Sequence, residues 1–383
     1  MKVRVEKNDL ADIAGWVARS IPQRPSVPVL AGVKLTADGT SLTAEGFDYE
    51  VSTQADLSAV GGDPGTVLVS GRLLAEITKS LPNKPVDLTT AGTHLELVCG
   101  SARFTLPTMP VEDYPSLPVM PTAVGTVDTA TFAAAVTQTA VAAGRDDTLP
   151  MMTGVRLELS GSSMALLATD RYRLAVRELT WQPAAADHTG QILIPAKTLT
   201  EVAKTLAVGV DPITIAIGGE TAGEGMVGFE AGGRRMTTRL LDGANYPPVR
   251  SLFPDADKVT AHAVLPVAPL MEVVKRVALV AERTTPVLLT FTPGESVLTV
   301  EAGGAEEARA SESLPIGSYS GGEALTVAYN PAYLLDGLAH LASADARIEF
   351  VDAFKPAVIS PAGEDGEPTS SYRYLIMPIR VSR

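Results

Sequence analysis

Four histidines (His94, His188, His262 and His340), one cysteine (Cys99) and one glycine-rich hexapeptide come nearest to known site chemistry in this chain. The histidines stand far apart, without the short spacing that brings two imidazoles onto one metal. A lone thiol supports neither a disulfide within the chain nor a cysteine-based metal site. Gly223-Glu224-Gly225-Met226-Val227-Gly228 fits G-x-G-x-x-G. That motif cradles a pyrophosphate only between a strand and a helix. Here Phe229-Glu230-Ala231-Gly232-Gly233 follows, which reads as a strand and a turn. No Walker loop and no G-x-S-x-G elbow is present. Asp170, close to Arg171 and Arg173, has the residue types for acid–base work, but the same pattern suits a turn cap or a local ion pair. These residues give no expectation of a catalytic, cofactor or metal site.

Asp170 belongs to the stretch around which the chain is organised, Arg145 to Leu174. A Leu149-Pro150 turn leads to a strand with Val155, Leu157 and Leu159 on one face. A second strand ends in Thr169-Asp170-Arg171-Tyr172-Arg173-Leu174. Paler copies lie at Pro28–Leu35 with Gly46–Ser52, and at Pro286–Phe291 with Val297–Glu301. Pro28, Pro150 and Pro286 correspond, as do Ser70, Ile194 and Tyr329, at intervals of about 120–135 residues, the size of a domain. Each unit holds two amphipathic helices. The first of each carries Leu10, Ile13 and Val17; Phe132, Val136 and Ala140; or Leu270, Val274 and Val277, over about Val267–Glu282. The second helices are Arg72–Leu81, with Leu73, Leu74, Ile77 and Leu81 inward, Ala196–Leu206, and one begun by Asn330-Pro331, a good cap and first-turn pair. About eight alternating strands complete each unit, giving a two-layer α+β architecture. Pro107–Pro121, with five prolines, reads as an extended linker. The domains are 1–121, 122–257 and 258–383.

The formal charge of -13 argues against a simple basic nucleic-acid binder, although a small basic surface can sit within an acidic exterior. The charged N-terminus is no signal peptide, and no run approaches the ~18 apolar residues of a membrane span. A cytoplasmic protein without membrane association is expected. Similar units in equivalent relations close into a ring or continue as a helix. Three units alone, or six from two chains, would complete a ring.

Several motifs resemble those of the bacterial DNA polymerase III beta subunits. They are Ala168-Thr169-Asp170-Arg171-Tyr172-Arg173-Leu174-Ala175, Arg24 to Leu30, Gly46-Phe47-Asp48-Tyr49, Leu149 to Gly154, and the ending Tyr374-Leu375-Ile376-Met377-Pro378-Ile379-Arg380. The resemblance spans the chain in order. It implies a non-enzymatic sliding clamp: a head-to-tail homodimer, a six-domain ring around duplex DNA. Such a clamp tethers the polymerase and is opened by a separate clamp loader.

The resemblance also implies sites. A partner-peptide pocket would comprise Met152, Thr169, Arg171, Tyr172, Arg173 and Leu174 with Pro247, Ser251 and Leu252, completed by Pro356, Leu375, Met377, Pro378, Ile379 and Arg380. Met and Leu would form an adaptable floor and Arg and Tyr a hydrogen-bonding rim. Val249 and Ser251 stand where the family often has Tyr and a basic residue, and Arg171 where some members have Gly. Those departures point to altered partner binding or a specialised second copy. DNA-facing candidates are Arg24, Arg145, Lys197, Lys275, Arg276 and Arg283. At the ring seam, Phe104 and Leu106 would meet Leu279, and Arg103 would pair with Glu306 or Glu307. Phe104 and Leu106 fit the first unit's own core equally well. The alternative is a clamp-fold scaffold that binds protein partners without loading onto DNA.

Overall fold

The computed structural model describes residues 1–22, 25, 27–206, 211–218, 225–281, 285–303 and 308–380. Arg24, Arg283, Glu306 and Glu307, and the first two residues of the glycine hexapeptide, lie outside these. Six α-helices are seen among the described residues: α1 (Lys7–Ser20), α2 (Gly71–Ser80), α3 (Thr129–Ala140), α4 (Ala196–Thr205), α5 (Val267–Val277) and α6 (Pro331–Ala339). Their pairwise order is the one the apolar periodicity predicts.

Local chemistry explains where they begin. The Ser70 hydroxyl accepts from the Leu73 N–H at the start of α2. Asp128 accepts from the Thr131 N–H and hydroxyl at α3. Asn330 accepts from the N–H groups of Ala332 and Tyr333 at α6, with Pro331 in the first turn. These side chains satisfy amides that no helical carbonyl can reach. The expected inward residues of α4 and α6 are buried: Leu199, Val202 and Leu206, and Leu334, Leu338 and Leu341. Each contributes roughly 2 kcal/mol. Leu73 departs from the expectation. It is 40% exposed, while Leu74 and Ile77 face the core. The α-helical part of α5 closes at Val277 and a 3-10 turn, Ala278–Val280, follows, short of the expected Glu282.

The chain forms two compact units, residues 1–132 with 182–186 and 201–240, and residues 133–181 with 187–200 and 241–383. In the first, a 13-stranded sheet runs from Lys2–Val5 at one edge to Gln182–Pro183 at the other. Its strands come from two sequence repeats, because Arg234–Arg239 pairs antiparallel with Val51–Ser58. A buried hydroxyl pair, Ser52 with Thr237 at 2.6 Å, fixes that register. The second unit holds a nine-stranded and a four-stranded sheet. Its nine-stranded sheet has the equivalent join, Tyr372–Ile376 beside Arg173–Thr180, with Leu174 opposite Leu375. The Pro-rich stretch is less extended than expected. The strand Ala102–Met109 runs through Pro107, and Tyr114 is buried beside Val29, Leu30 and Phe47.

Candidate binding cleft and its relatives

The turn Thr169–Arg173 is built by its own side chains. Asp170 Oδ1 accepts from the N–H groups of Tyr172 and Arg173, each at 3.0 Å. The Thr169 hydroxyl accepts from the Arg171 N–H and donates to the Arg173 carbonyl at 2.7 Å. Arg171 takes φ 78°, the left-handed region that non-glycine residues seldom adopt. The turn throws Tyr172 outward, 56% exposed, and sends Arg173 inward, 5% exposed.

Arg173 was expected at a hydrogen-bonding rim; it is a buried staple. Its Nε meets Asp170 Oδ2 at 2.9 Å and its Nη1 meets Asp336 Oδ2 of α6 at 2.5 Å. The guanidinium lies 4.4 Å from the centre of the Tyr333 ring. Burial opposes its charge, yet Tyr374, Asp336 and Asp170 together hold its pKa above the ordinary arginine value. Tyr333 in turn stacks on Tyr172 at 6.3 Å, and its carbonyl accepts from the Tyr374 hydroxyl at 2.9 Å. Gly337 allows this approach, since a Cβ there would stand 2.5 Å from the Tyr374 ring.

The opposite wall is the loop into the 3-10 turn Pro150–Thr153. The Gly144 N–H donates to the Met152 carbonyl at 2.7 Å. Thr148 donates to Asp146 through both its N–H and its hydroxyl, which holds the Asp146 carboxyl below the usual carboxylate range. Between the walls lies a cleft of about 660 Å³, lined by Gly144, Arg145, Asp146, Leu149 and Met152, by Asp170 to Arg173, and by Ala332, Tyr333 and Asp336.

Four of the expected pocket residues, Met152, Arg171, Tyr172 and Arg173, meet in this cleft. Arg145, expected to face DNA, lines it as well. Leu174 and Leu375 are core residues, 1% exposed, packed with Tyr246 and Val249 against Met151 and Phe253. Thr169 is buried too, spent on the turn. Around them, Leu252 is 50% and Met377 38% exposed. Ser251 and Arg380 are exposed, and Pro247, Pro356, Pro378 and Ile379 half-buried. The Met377 N–H donates to the Tyr172 carbonyl, tying the C-terminal segment to the turn.

Of the charged candidates elsewhere, Lys197 is exposed. Lys275 and Arg276 are exposed but paired, with Glu272 at 2.9 Å and Glu312 at 2.6 Å. Leu279 is 84% exposed. Arg103 is exposed and Phe104 half-buried. Leu106, two residues on along the same strand face, is 1% exposed and belongs to the first unit's core. Sequence reasoning missed Tyr333, Asp336 and Ala332. The available signal was a tyrosine and an aspartate three residues apart on an otherwise apolar helix.

Repeated α+β units sharing antiparallel sheets, with an open cleft beside the most distinctive turn, define the clamp fold. Residues 1–118 match the N-terminal domain of the DNA polymerase III beta subunit, 126–248 its central domain and 250–380 its C-terminal domain. The chain belongs to that family, the bacterial beta sliding clamps. It is 51% identical to the beta sliding clamp of Streptomyces coelicolor over the whole of both chains. It is 44% identical, again end to end, to the beta sliding clamp homolog GriR of Streptomyces muensis. A sliding clamp from Pseudomonas aeruginosa, solved bound to griselimycin, superposes over both full chains with a TM-score of 0.90 at 26% identity. The family serves DNA replication as a processivity factor of DNA polymerase III and is generally non-catalytic. No helix among the described residues is long and apolar enough to cross a membrane.

Proposed function

We propose that this chain is a DNA sliding clamp that acts as a head-to-tail homodimer, a six-domain ring closed around duplex DNA in the cytoplasm. It holds the replicative polymerase, the clamp loader and other partners through a short peptide seated in the second unit. The domains are 1–121, 122–257 and 258–383. The observation that carries this reading is the meeting of Met152, Arg171, Tyr172 and Arg173 with α6 in one open cleft, in a chain with three tandem clamp-domain matches. Met377 and Leu252 extend an apolar surface at hand for peptide side chains. The remaining pocket residues support that surface: Thr169, Leu174 and Leu375 from the core, and Pro247, Ser251, Pro356, Pro378, Ile379 and Arg380 around it.

Encirclement answers the charge of -13. A topological link needs no tight phosphate contacts, and such contacts would hinder sliding. A sparse lining suffices, with Arg24, Lys197, Lys275, Arg276 and Arg283 as its candidates and Arg145 serving the peptide cleft instead. At the seam Phe104 and Leu279 carry the apolar contact, with Leu106 behind Phe104. Pairing of Arg103 with Glu306 or Glu307 adds little, since exposed ion pairs contribute about 0–1 kcal/mol.

Light scattering should give a mass twice the 40.0 kDa of the chain, and the protein should stay on circular DNA but run off linear DNA. A monomer at micromolar concentration with no preference for circular DNA would sink the closed ring. The second reading is a specialised clamp copy with altered partners. It draws on the likeness to the homolog GriR and on Val249 and Ser251.

A further inference from the structure

The cleft has an uneven distribution of charge. Its lining includes three arginines and three aspartates, so it is neutral by count. The charges are not equally available. Arg173 consumes Asp170 and Asp336 and is itself buried. That leaves Arg145 and Arg171, both exposed and without an ion pair among the described residues, against one carboxylate, Asp146. Asp146 is already bonded twice by Thr148. It feels the attraction of Arg171 without pairing with it. Asp147, next in the chain, is not part of the lining. The solvent-facing mouth is therefore positive on a chain of net -13. The tyrosines of the wall, Tyr172 and Tyr333, offer hydroxyls and ring faces.

The position of Arg171 strengthens the point. The turn holds it at φ 78°, where glycine would sit without strain. Apart from the attraction of Asp146, no hydrogen bond or ion pair of its side chain among the described residues offsets that strain. Its backbone N–H is satisfied by Thr169, and its guanidinium stands at the edge of the cleft with its fork of donors. An arginine so placed is suited to a carboxylate arriving with a ligand.

Resting on the peptide-docking reading above, we propose that Arg171, assisted by Arg145, is a specificity-determining residue. It pairs with an acidic side chain of the partner segment, beside the apolar residues that fill the cleft. The occupant is thus an acidic, apolar-anchored peptide. Partners that carry lysine or arginine at that position are disfavoured by the same charges.

The test uses the full-length protein and acetylated, amidated peptides copied from the clamp-binding segment of the replicative polymerase. Blocked ends remove the terminal carboxylate as a source of negative charge. Each flanking position is made glutamate in one peptide and glutamine in its twin, and binding is read by fluorescence anisotropy. At one position the glutamate peptide should bind roughly fivefold tighter at low salt, as one favourable ion pair allows. The ratio should shrink toward one at about 0.5 M salt. It should collapse in Arg171→Gly and survive in Arg171→Lys, a pattern that a purely structural role for Arg171 does not produce. Twins that bind alike at every position, with affinity still lost in Met152→Ala, would overturn the inference and leave the pocket standing. Peptides that fail to bind, or that bind Met152→Ala undiminished, would overturn both.

Discussion

The turn at Asp48–Val51 in the first unit and the turn at Asp170–Arg173 in the second share one backbone and differ in what hangs from it. Asp48 Oδ1 accepts from the N–H groups of Glu50 and Val51 as Asp170 does from Tyr172 and Arg173. Tyr49 has φ 73° where Arg171 has 78°. The Arg239 N–H donates to the Glu50 carbonyl as that of Met377 donates to Tyr172. Beneath each lies a buried tyrosine under a cation, Tyr114 with Lys34 at 6.0 Å and Tyr246 with Arg156 at 5.4 Å. Desolvation pushes both hydroxyls well above the usual tyrosine pKa. The differences are few: Tyr49 for Arg171, Glu50 for Tyr172, Val51 for Arg173 and Arg239 for Met377. Where Val51 stands the turn makes no demand for counter-charge. Where Arg173 stands, α6 must supply Asp336 and Tyr333, and the space between that helix and the Met152 loop becomes the cleft. The repeat provides a scaffold; one inward arginine ties it to a neighbouring helix.

The largest test removes that arginine. Arg173→Ala leaves Asp170 and Asp336 without their partner and Tyr333 without its cation. Breaking such a pair should cost the second unit about 3 kcal/mol. Val51→Ala, which removes only half-buried methyl groups, should cost the first unit about 1 kcal/mol. The two tryptophans, Trp16 and Trp181, fall one in each unit. Urea unfolding in Trp16→Phe and Trp181→Phe backgrounds therefore reads the units separately. Equal losses would mean that Arg173 is no staple.

Asp170→Ala should come next, at about 2 kcal/mol, because it removes the turn bonds and half of the charge clamp. Asp48→Ala removes the same two turn bonds alone and should cost about 1 kcal/mol. Their difference measures what Asp170 does for Arg173, and it should vanish in an Arg173→Met background. Met152→Ala should leave both unfolding transitions nearly in place. It should weaken binding of a partner peptide about tenfold, the loss of one apolar contact in a desolvated pocket.

Local signals carried the sequence reading a long way. Asn330-Pro331, Asp128 and the leucine stripes gave the helices because caps and 3.6-residue periodicity lie within a few residues of one another. The Thr169–Leu174 stretch marked the site because its turn is closed by its own side chains. What stayed hidden depends on contacts distant in sequence. Nothing near Met236 specifies pairing with Thr53, and nothing near Tyr333 or Asp336 announces Arg173. Arginine is seldom buried, so Arg173 reads as a rim residue until Asp336 is seen beside it. Leu106 and Leu73 show the same limit in reverse: alternation identifies two faces but not which one another element covers.

The smallest effect sharpens the comparison most. Tyr49 and Arg171 both hold left-handed backbone, which costs an L-residue roughly 1–2 kcal/mol. Glycine removes that strain but gives the unfolded chain more freedom, worth about 0.4–1 kcal/mol. Tyr49→Gly and Arg171→Gly should therefore each stabilise their unit by about 0.5 kcal/mol before side-chain contacts are counted. Tyr49 packs edge-on against Phe47 at 5.5 Å, a contact worth a similar amount, so its net change should be near zero. Arg171 has no ring or ion-pair contact to lose among the described residues, and its variant should gain stability while losing affinity for acidic peptides. A stability gain joined to a binding loss marks strain kept for a ligand. If Arg171→Gly instead destabilises the second unit, the side chain holds the fold, and the likeness between the two turns extends to their purpose as well as their shape.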